Sequence, residues 1–167
     1  IVEEVLANEI NKEIVNSINE TGGKAIGLAG NRDNLIKASK LKVSVRKTDS
    51  NIEKMLDIGF VGEPIKINSE FILDKLQKGY IPVIAPLGND NSNNYNINAD
   101  TVAGFIAGEL KASKLLLLTD VAGILNEEKK LISSLSLKES KELFNKKVIE
   151  GGMKPKILTC IKAMEKG

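Results

Sequence analysis

The feature that most constrains the fold is a run of four leucines at residues 115–118, which ends at the polar pair Thr119-Asp120. A run that is apolar at every position is typical of a central parallel strand covered on both faces. A second apolar stretch lies at residues 81–85, and apolar residues at helical spacing fill residues 101–111 between the two. This βαβ pattern predicts an α/β fold with a largely parallel sheet and helices on both sides.

The composition fits a folded globular chain and argues against one class of partner. The 167 residues suffice for one domain or two small lobes, and 42% of them are hydrophobic. The 24 basic and 22 acidic residues are spread along the chain and leave a net charge of +2. This balance provides no broad basic surface, so we expect no nucleic-acid partner.

Two rare residue types restrict the chemistry. The chain has no histidine, which excludes the commonest general base and every Ser-His or Cys-His mechanism. Its one cysteine excludes an internal disulfide and is typical of a reducing compartment, so we expect a cytoplasmic protein, with a plastid as the alternative. No apolar run approaches the roughly 20 residues of a membrane span, and we expect no membrane partner.

The spacing of apolar, Gly and Pro residues predicts the other elements. We expect an exposed ribbon strand at residues 35–46, an edge strand or hairpin containing Pro64 at residues 58–67, and Ser69 and Ser136 as helix caps. The remaining predictions are a helix over residues 8–20 with Ile10, Ile14, Val15 and Ile18 on one face, a helix from near Pro155, strands over residues 24–28 and 80–87, and loops over residues 30–34, 47–54 and 88–94.

Asn96, Asn98 and Asp100 alternate with small apolar residues just before the predicted helix 101–111. In one interpretation, Asn98 or Asp100 caps the helix and the others are turn residues. In the other, one residue caps the helix while the others face a cleft. There an Asn would bind a carboxylate or an amide, and the Asp would hold a lysine ammonium in place. The residues alone leave both interpretations open.

Lys154 and Lys156 flank Pro155, which suits the first position of a helix. Lysines in a first helical turn face the positive end of the helix dipole, which is locally unfavourable. An anion bound there, with the amides of Gly151 and Gly152 as further donors, would offset this. The alternative is two solvated surface lysines.

Thr119-Asp120 also has two interpretations. The pair either forms a turn after a strand, with the Asp bonding its own backbone, or faces a nucleotide at the carboxyl end of a central strand. Cys160 lies at helical spacing with Ile157, Ile161 and Met164, which favours a core position over a nucleophile.

Five motifs occur in a fixed order: Gly59-Phe60-Val61-Gly62, Gly79-Tyr80-Ile81-Pro82-Val83-Ile84-Ala85-Pro86, Tyr95-Asn96-Ile97-Asn98-Ala99-Asp100-Thr101, Leu118-Thr119-Asp120-Val121-Ala122-Gly123-Ile124 and Gly151-Gly152-Met153-Lys154-Pro155-Lys156. Together they resemble the N-acetylglutamate kinases of the amino acid kinase family, and the resemblance covers almost the whole chain. It implies a three-layer αβα sandwich that phosphorylates the side-chain carboxylate of N-acetylglutamate, a step of arginine biosynthesis, with ATP and the Mg²⁺ that ATP carries.

The resemblance also assigns roles to residues. It implies that Asp100 and Lys156 are catalytic: Asp100 organises the catalytic lysines, and Lys156 stabilises the transferring phosphoryl group. It places Asn96 and Asn98 at the substrate, and it implies no metal ligand from the protein. The residues that it places by the nucleotide are Thr119, Asp120, Gly123, Leu125, Met153 and Lys156, together with the neighbours of Asp120 up to Leu125.

The chain lacks the family's first catalytic lysine, its glycine-rich loops and its substrate-holding arginine, and it begins at Ile1 without Met. We therefore expect an internal part of the enzyme, with a partial substrate lobe at residues 1–97, a partial nucleotide lobe at residues 98–167, and little activity of its own. As partners the resemblance implies a homo-oligomer, arginine as a feedback inhibitor and the PII signalling protein. The alternatives are another amino acid kinase, acting on aspartate, glutamate, carbamate or UMP, and a non-catalytic binding module.

Overall fold

A computed structural model describes residues 1–46, 53–126, 128–146 and 152–166. The chain divides into two compact units, Ile1–Ala99 and Asp100–Gly167, which are described separately. The assignment of a substrate lobe and a nucleotide lobe stays a prediction. In the described ranges no helix has the length and apolar character needed to cross a bilayer.

The first unit begins with one continuous helical stretch. A π-helical segment, Glu4–Ile10, leads directly into α1, Asn11–Glu20, and Gly22 at φ 88° follows its end. The predicted helix is confirmed, but its predicted inner face is wrong at Ile10 and Ile14, which are exposed. Asn11 is buried instead, because Gly27 opposite it has no side chain and leaves room for the amide.

A parallel pair of strands packs against the helices of this unit. β1, Ala25–Ala29, pairs with β6, Ile81–Ala85, in a register that sets Ala25 opposite Ile81. Both predicted strands are confirmed. Helix α2, Ser69–Gln77, precedes β6, and its cap is Asn68, whose side chain accepts a hydrogen bond from the Phe71 amide at 3.2 Å. The predicted cap Ser69 is therefore wrong by one residue.

Four other strands close into a small mixed barrel in the order β2, β5, β8, β7. Their bounds are Ile36–Lys40 for β2, Val61–Ile67 for β5, Leu87–Asn89 for β7 and Asn94–Ile97 for β8. The strand predicted at residues 35–46 is confirmed over residues 36–40 and 43–46, but its predicted exposure is wrong, because Leu35, Ile36 and Ala38 are buried. The edge prediction for β5 is wrong too, since it pairs with both β2 and β8. Pro64 is accommodated next to a register shift in β2.

Two short strands form an antiparallel hairpin: β3, Val43–Arg46, and β4, Glu53–Leu56. The loop predicted at residues 47–54 is thus wrong at its last two residues, while residues 47–52 lie outside the described chain. The loop predicted at residues 88–94 is shorter than expected, because β7 and β8 take both of its ends.

Three helices lie within the described residues of the second unit. They are α3, Ala99–Glu109, α4, Leu137–Asn145, and α5, Met153–Lys166. Ser136 caps α4 as predicted, and Glu139 completes a capping box with it. Ile157 and Ile161 form a core cluster of this unit, and Leu137, Leu143 and Phe144 pack against them.

The central strand predicted at residues 115–118 is wrong. These residues take no strand conformation, and Leu116 and Leu118 are 73% and 89% exposed. A parallel strand needs neighbours to bind its backbone N–H and C=O groups. In the described part of this unit, the β pairing consists of one isolated bridge between Leu125 and Leu131. The βαβ unit proposed around α3 therefore does not form.

Candidate active site

An ion pair joins the first turns of α3 and α5. The Lys156 ammonium donates to both carboxylate oxygens of Asp100, with Nζ–O distances of 3.1 and 2.9 Å. Both side chains are largely buried, at 21% and 22% exposed. α5 begins at Met153, so Pro155 is its third residue and not its first, and Lys156 still lies in the first turn. Asp100 offsets the unfavourable position of a lysine near a helix N-terminus.

Lys156 also faces a cleft of about 480 Å³ within the second unit. The residues that line it are Leu117, Leu118, Thr119, Val121, Ala122, Gly123, Ile124, Met153, Lys156, Ile157 and Cys160. The structure thus brings together four of the predicted nucleotide residues: Thr119, Gly123, Met153 and Lys156. Asp120 and Leu125 are not among the lining residues, and Gly151 lies outside the described chain.

The cleft combines apolar walls with one cation. Lys156 is the charged side chain among the described lining residues, and the rest are apolar, small or, at Thr119, a hydroxyl. The N-terminus of α5 adds positive partial charge close to the ammonium. Such a site can hold an anionic group at the lysine while a flat apolar group lies against the walls.

The Thr119-Asp120 pair is held locally. The Thr119 hydroxyl donates to Asp120 Oδ1 at 3.3 Å, and both side chains are exposed. Gly123 has a φ of 137°, a backbone conformation that favours glycine, and its neighbour across the turn is Leu131. The turn therefore presents Thr119 and Gly123 to the cleft without any strand support.

Cys160 forms part of the cleft wall one turn after Lys156. Burial raises the pKa of its thiol, the Asp100 carboxylate raises it further, and the Lys156 ammonium lowers it. The thiol therefore stays protonated at neutral pH, and a protonated thiol is a poor nucleophile. The prediction against a nucleophile is thus supported, whereas the predicted core position is wrong, because Cys160 is half-buried and lines the cleft.

The predicted substrate residues lie in the first unit. Asn96 in β8 and Asn98, just before α3, line an apolar cavity of about 510 Å³. Its other lining residues are Ile1, Val2, Val5, Leu6, Pro86, Ile97 and Ala99. The cavity offers two amide groups on an otherwise apolar surface. The roles of Asn96 and Asn98 stay predictions.

Sequence reasoning missed several lining residues of the cleft. Leu117, Leu118 and Ile157 line it, although the resemblance gave them no role. Val121, Ala122 and Ile124, which the resemblance places by the nucleotide, line it too. The two leucines belong to the run that was interpreted as a buried strand, and Ile157 directly follows the last motif. Across the described ranges, no group of three or more Cys, Asp or Glu side chains is placed to hold a metal ion.

Comparison with known proteins supplies the relatives of this chain. The sequence profile of the amino acid kinase family matches residues 1–167. The acetylglutamate kinase of Parvibaculum lavamentivorans is 54% identical over 100% of this chain and 55% of its own length. That of Afipia carboxidovorans is 51% identical over 100% of this chain and 57% of its own length. The chain thus spans little more than half the length of these curated relatives.

Solved structures agree with the fold. The smu.665 protein of Streptococcus mutans superposes with a TM-score of 0.79 at 27% identity, over 98% of this chain and 62% of that one. The carbamate kinase of Giardia superposes with a TM-score of 0.66 at 15% identity, over 98% of this chain and 61% of that one, a likeness of fold alone. The predicted α/β fold class is confirmed by these two structures.

Proposed function

Because this chain belongs to the amino acid kinase family, we propose that it serves the ATP-dependent phosphorylation of the side-chain carboxylate of N-acetyl-L-glutamate, in arginine biosynthesis. The observation that carries the proposal is the identity of 54% and 51%, over the whole chain, to proteins named acetylglutamate kinase. The ion pair and the cleft of the second unit supply a chemistry that suits it.

The proposed acceptor needs no general base. A side-chain carboxylate has a pKa of about 4, so it is already ionised and nucleophilic at neutral pH. Phosphoryl transfer depends mainly on positioning the donor and acceptor and on positive charge around the moving group. The lack of histidine in the chain is therefore no obstacle to this reaction.

Lys156 is suited to supply positive charge to the moving group. Its ammonium lies at the cleft and donates two hydrogen bonds to Asp100, which fix its position before any ligand binds. In this proposal the two residues act as one unit, with Asp100 as the group that orients and Lys156 as the group that contacts the phosphoryl oxygens.

The nucleotide would occupy the cleft of the second unit. Its phosphates would lie at Lys156 and the N-terminus of α5, and its base would contact the apolar walls near Gly123 and Met153. Mg²⁺ bound to the phosphates would supply further positive charge. Asp120 and Leu125 stay nucleotide-binding predictions next to this cleft.

The substrate would contact the cavity of the first unit. The amides of Asn96 and Asn98 can donate to a carboxylate and bind an acetamido group, and the apolar lining suits its methyl group. Homo-oligomerisation, inhibition by arginine and activation by the PII protein are further proposals that come from the resemblance.

The test measures ADP release by the natural full-length polypeptide that contains these 167 residues. The acceptors are N-acetylglutamate, glutamate, aspartate, carbamate and UMP, each with ATP and Mg²⁺. We expect turnover with N-acetylglutamate and at most weak turnover with the others. Preference for another acceptor would replace the proposed substrate, and calorimetric binding of ATP without ADP release would favour a binding module.

Replacing Lys156 tests the mechanism. We expect Lys156→Ala to lower kcat by a factor on the order of 100 to 1,000, as for the loss of one electrostatic donor to a transition state. Lys162→Ala is the matched control, because this lysine is exposed on the same helix and is absent from the cleft lining. A Lys156→Ala enzyme with nearly normal kcat would remove Lys156 from the mechanism.

A further inference from the structure

Helices α3 and α5 touch at a position where only glycine fits. Gly104 of α3 is buried, and a Cβ built on it would lie 2.3 Å from Thr159 Cγ2 and 3.2 Å from the Thr159 carbonyl oxygen. Thr159 is itself only 5% exposed. Ordinary contacts between carbon atoms are about 3.5–4.0 Å long, so the two helices approach more closely than any larger residue at position 104 would permit.

This contact neighbours the Asp100–Lys156 ion pair. Gly104 follows Asp100 by four residues on α3, and Thr159 follows Lys156 by three residues on α5. Residues at these spacings share one helix face, so the ion pair and the Gly104–Thr159 contact belong to the same helix–helix interface.

A second polar contact holds the far end of the interface. The Lys166 ammonium lies 3.7 Å from the centre of the Phe105 ring and pairs with the Glu109 carboxylate. The ion pair at Lys156 and the contacts at Lys166 thus flank the Gly104–Thr159 contact. The distance between α3 and α5 at this central contact therefore determines how far Lys156 and Lys166 must extend to meet their partners on α3.

We propose that Gly104 and Thr159 are positioning residues for Lys156: the missing side chain at position 104 brings α3 close enough for Asp100 to hold the Lys156 ammonium. The inference deepens the proposed function and rests on it for its catalytic meaning. The two residues are not among those that line the cleft, and they act through Asp100.

The size of the expected displacement follows from the distances. A methyl group at position 104 must move from 2.3 Å to at least the shortest ordinary contact distance from Thr159 Cγ2, about 3.5 Å, so α3 shifts by just over about 1 Å. Asp100 is one helical turn away and moves with the helix. Its 2.9 and 3.1 Å contacts with Lys156 would then lengthen to about 4 Å, beyond hydrogen-bond range.

Cys160 reports on the ion pair without any need for catalysis. Burial is the largest cause of the raised pKa of its thiol; Asp100 on α3 raises this pKa further, and Lys156, which shares α5 with Cys160, lowers it. If Gly104→Ala moves α3 away, the influence of Asp100 weakens and that of Lys156 stays. We therefore expect the thiol pKa to fall in Gly104→Ala. It should also fall in the reference variant Asp100→Asn, which removes the charge directly.

The measurement is the pH dependence of iodoacetamide alkylation at Cys160, followed by mass spectrometry of the peptide that carries it. Thr159→Ser supplies the rescue, because it deletes the clashing Cγ2 and keeps the hydroxyl. After it, the nearest contact of a methyl group at position 104 is the carbonyl oxygen at 3.2 Å. We expect Gly104→Ala/Thr159→Ser to return most of the way to the wild-type alkylation profile.

Gly108→Ala is the positional control. A Cβ there would meet the Lys166 side chain at 2.9 Å, at the far end of the interface from Asp100. We expect it to leave the alkylation profile of Cys160 unchanged. An equal change in Gly104→Ala and Gly108→Ala would indicate general loosening and would overturn the proposal.

Kinetics supply the catalytic readout in the natural full-length polypeptide. We expect Gly104→Ala to lower kcat by a factor of about 10 to 100, with a much smaller change in KM, because a displacement of about 1 Å misplaces a transition-state contact. The double variant should recover most of the kcat.

Two further results would overturn the proposal: a wild-type alkylation profile in folded Gly104→Ala, or no recovery in the double variant. If Gly104→Ala alone does not fold, the double variant must fold and show the wild-type profile, and its failure refutes the contact. Alkylation needs neither ATP nor turnover. An inactive wild-type protein would therefore defeat the proposed function while the alkylation series still decides the positioning role.

Discussion

The side chain of Asn11 fits into the space beside Gly27, and the loss of stability on replacing Asn11 can be predicted. Asn11 is 5% exposed, and its Nδ2 donates to the Val83 carbonyl oxygen at 2.8 Å. Asn11→Ala deletes this donor, so the Val83 carbonyl of β6 loses its hydrogen bond from the Asn11 side chain. Leaving a buried polar group unsatisfied costs about 1–3 kcal/mol, so we expect a loss of about 2 kcal/mol in the free energy of unfolding.

Urea denaturation followed by circular dichroism measures this loss. With a slope of about 2 kcal/mol per molar urea, the midpoint should fall by about 1 M. Asn16→Ala is the matched control, because Asn16 is exposed on the same helix, and its effect should stay within about 0.5 kcal/mol.

A double-mutant cycle between Asn11 and Gly27 measures the energetic coupling of the two residues. A Cβ at position 27 would lie 2.2 Å from Asn11 Oδ1, while its next neighbours lie at 3.5 Å. Gly27→Ala alone should therefore destabilise by about 1–3 kcal/mol through overpacking. In the Asn11→Ala background the clash is gone, so the same change should be nearly neutral. Additive effects in the double variant, or an unchanged midpoint in Asn11→Ala, would refute this account.

Two further predictions concern local polar contacts. Asp90 accepts hydrogen bonds from the Tyr95 hydroxyl at 2.6 Å and from the Ser92 and Asn93 amides, which lowers its pKa to about 2. Because the pKa of Asp90 is lower in the folded state, its ionised form stabilises the wild type relative to Asp90→Asn; this gain should be complete above about pH 4 and should be lost as the pH falls towards about 2. Urea midpoints of both proteins between about pH 2 and 6 test this. A difference between the two midpoints that stays constant over this range would contradict it. Ser136 accepts from the Glu139 amide at 3.2 Å, so Ser136→Ala should cost about 1 kcal/mol, whereas Ser134→Ala, outside the cap, should be neutral by thermal melting.

The local signals in the sequence predicted local structure well. The capping box at Ser136 depends on residues three apart, and β1 and β6 are short apolar stretches bounded by Gly and polar residues. Each of these patterns is decided by near neighbours in the chain. For this reason they could be predicted without knowledge of the tertiary contacts.

The errors arose where distant residues decide the outcome. Ile10 and Ile14 satisfied the helical spacing of an inner face, yet the space beside Gly27 made Asn11 the buried residue. Residues 115–118 satisfied the composition of a central strand, but a strand also requires pairing partners, and composition does not provide them.

The candidate site was predictable in part. The unfavourable position of a lysine near a helix start pointed to Lys156, and the alternating polar residues before α3 pointed to an Asp that holds a lysine ammonium. The structure joins Lys156 to Asp100, 56 residues earlier in the chain. The Gly104–Thr159 contact that fixes their separation had no sequence signal, because a glycine within a helical pattern does not reveal what lies against it. The functional roles of these residues stay predictions.

The exposed leucines at residues 116 and 118 affect how the protein must be handled. Four consecutive leucines outside any strand form a short, uncharged segment that is open to β pairing between molecules. Such a segment promotes self-association at high concentration and draws chaperones during synthesis. A charged substitution at Leu116, which is 73% exposed and does not line the cleft, would act as a gatekeeper and raise the soluble yield.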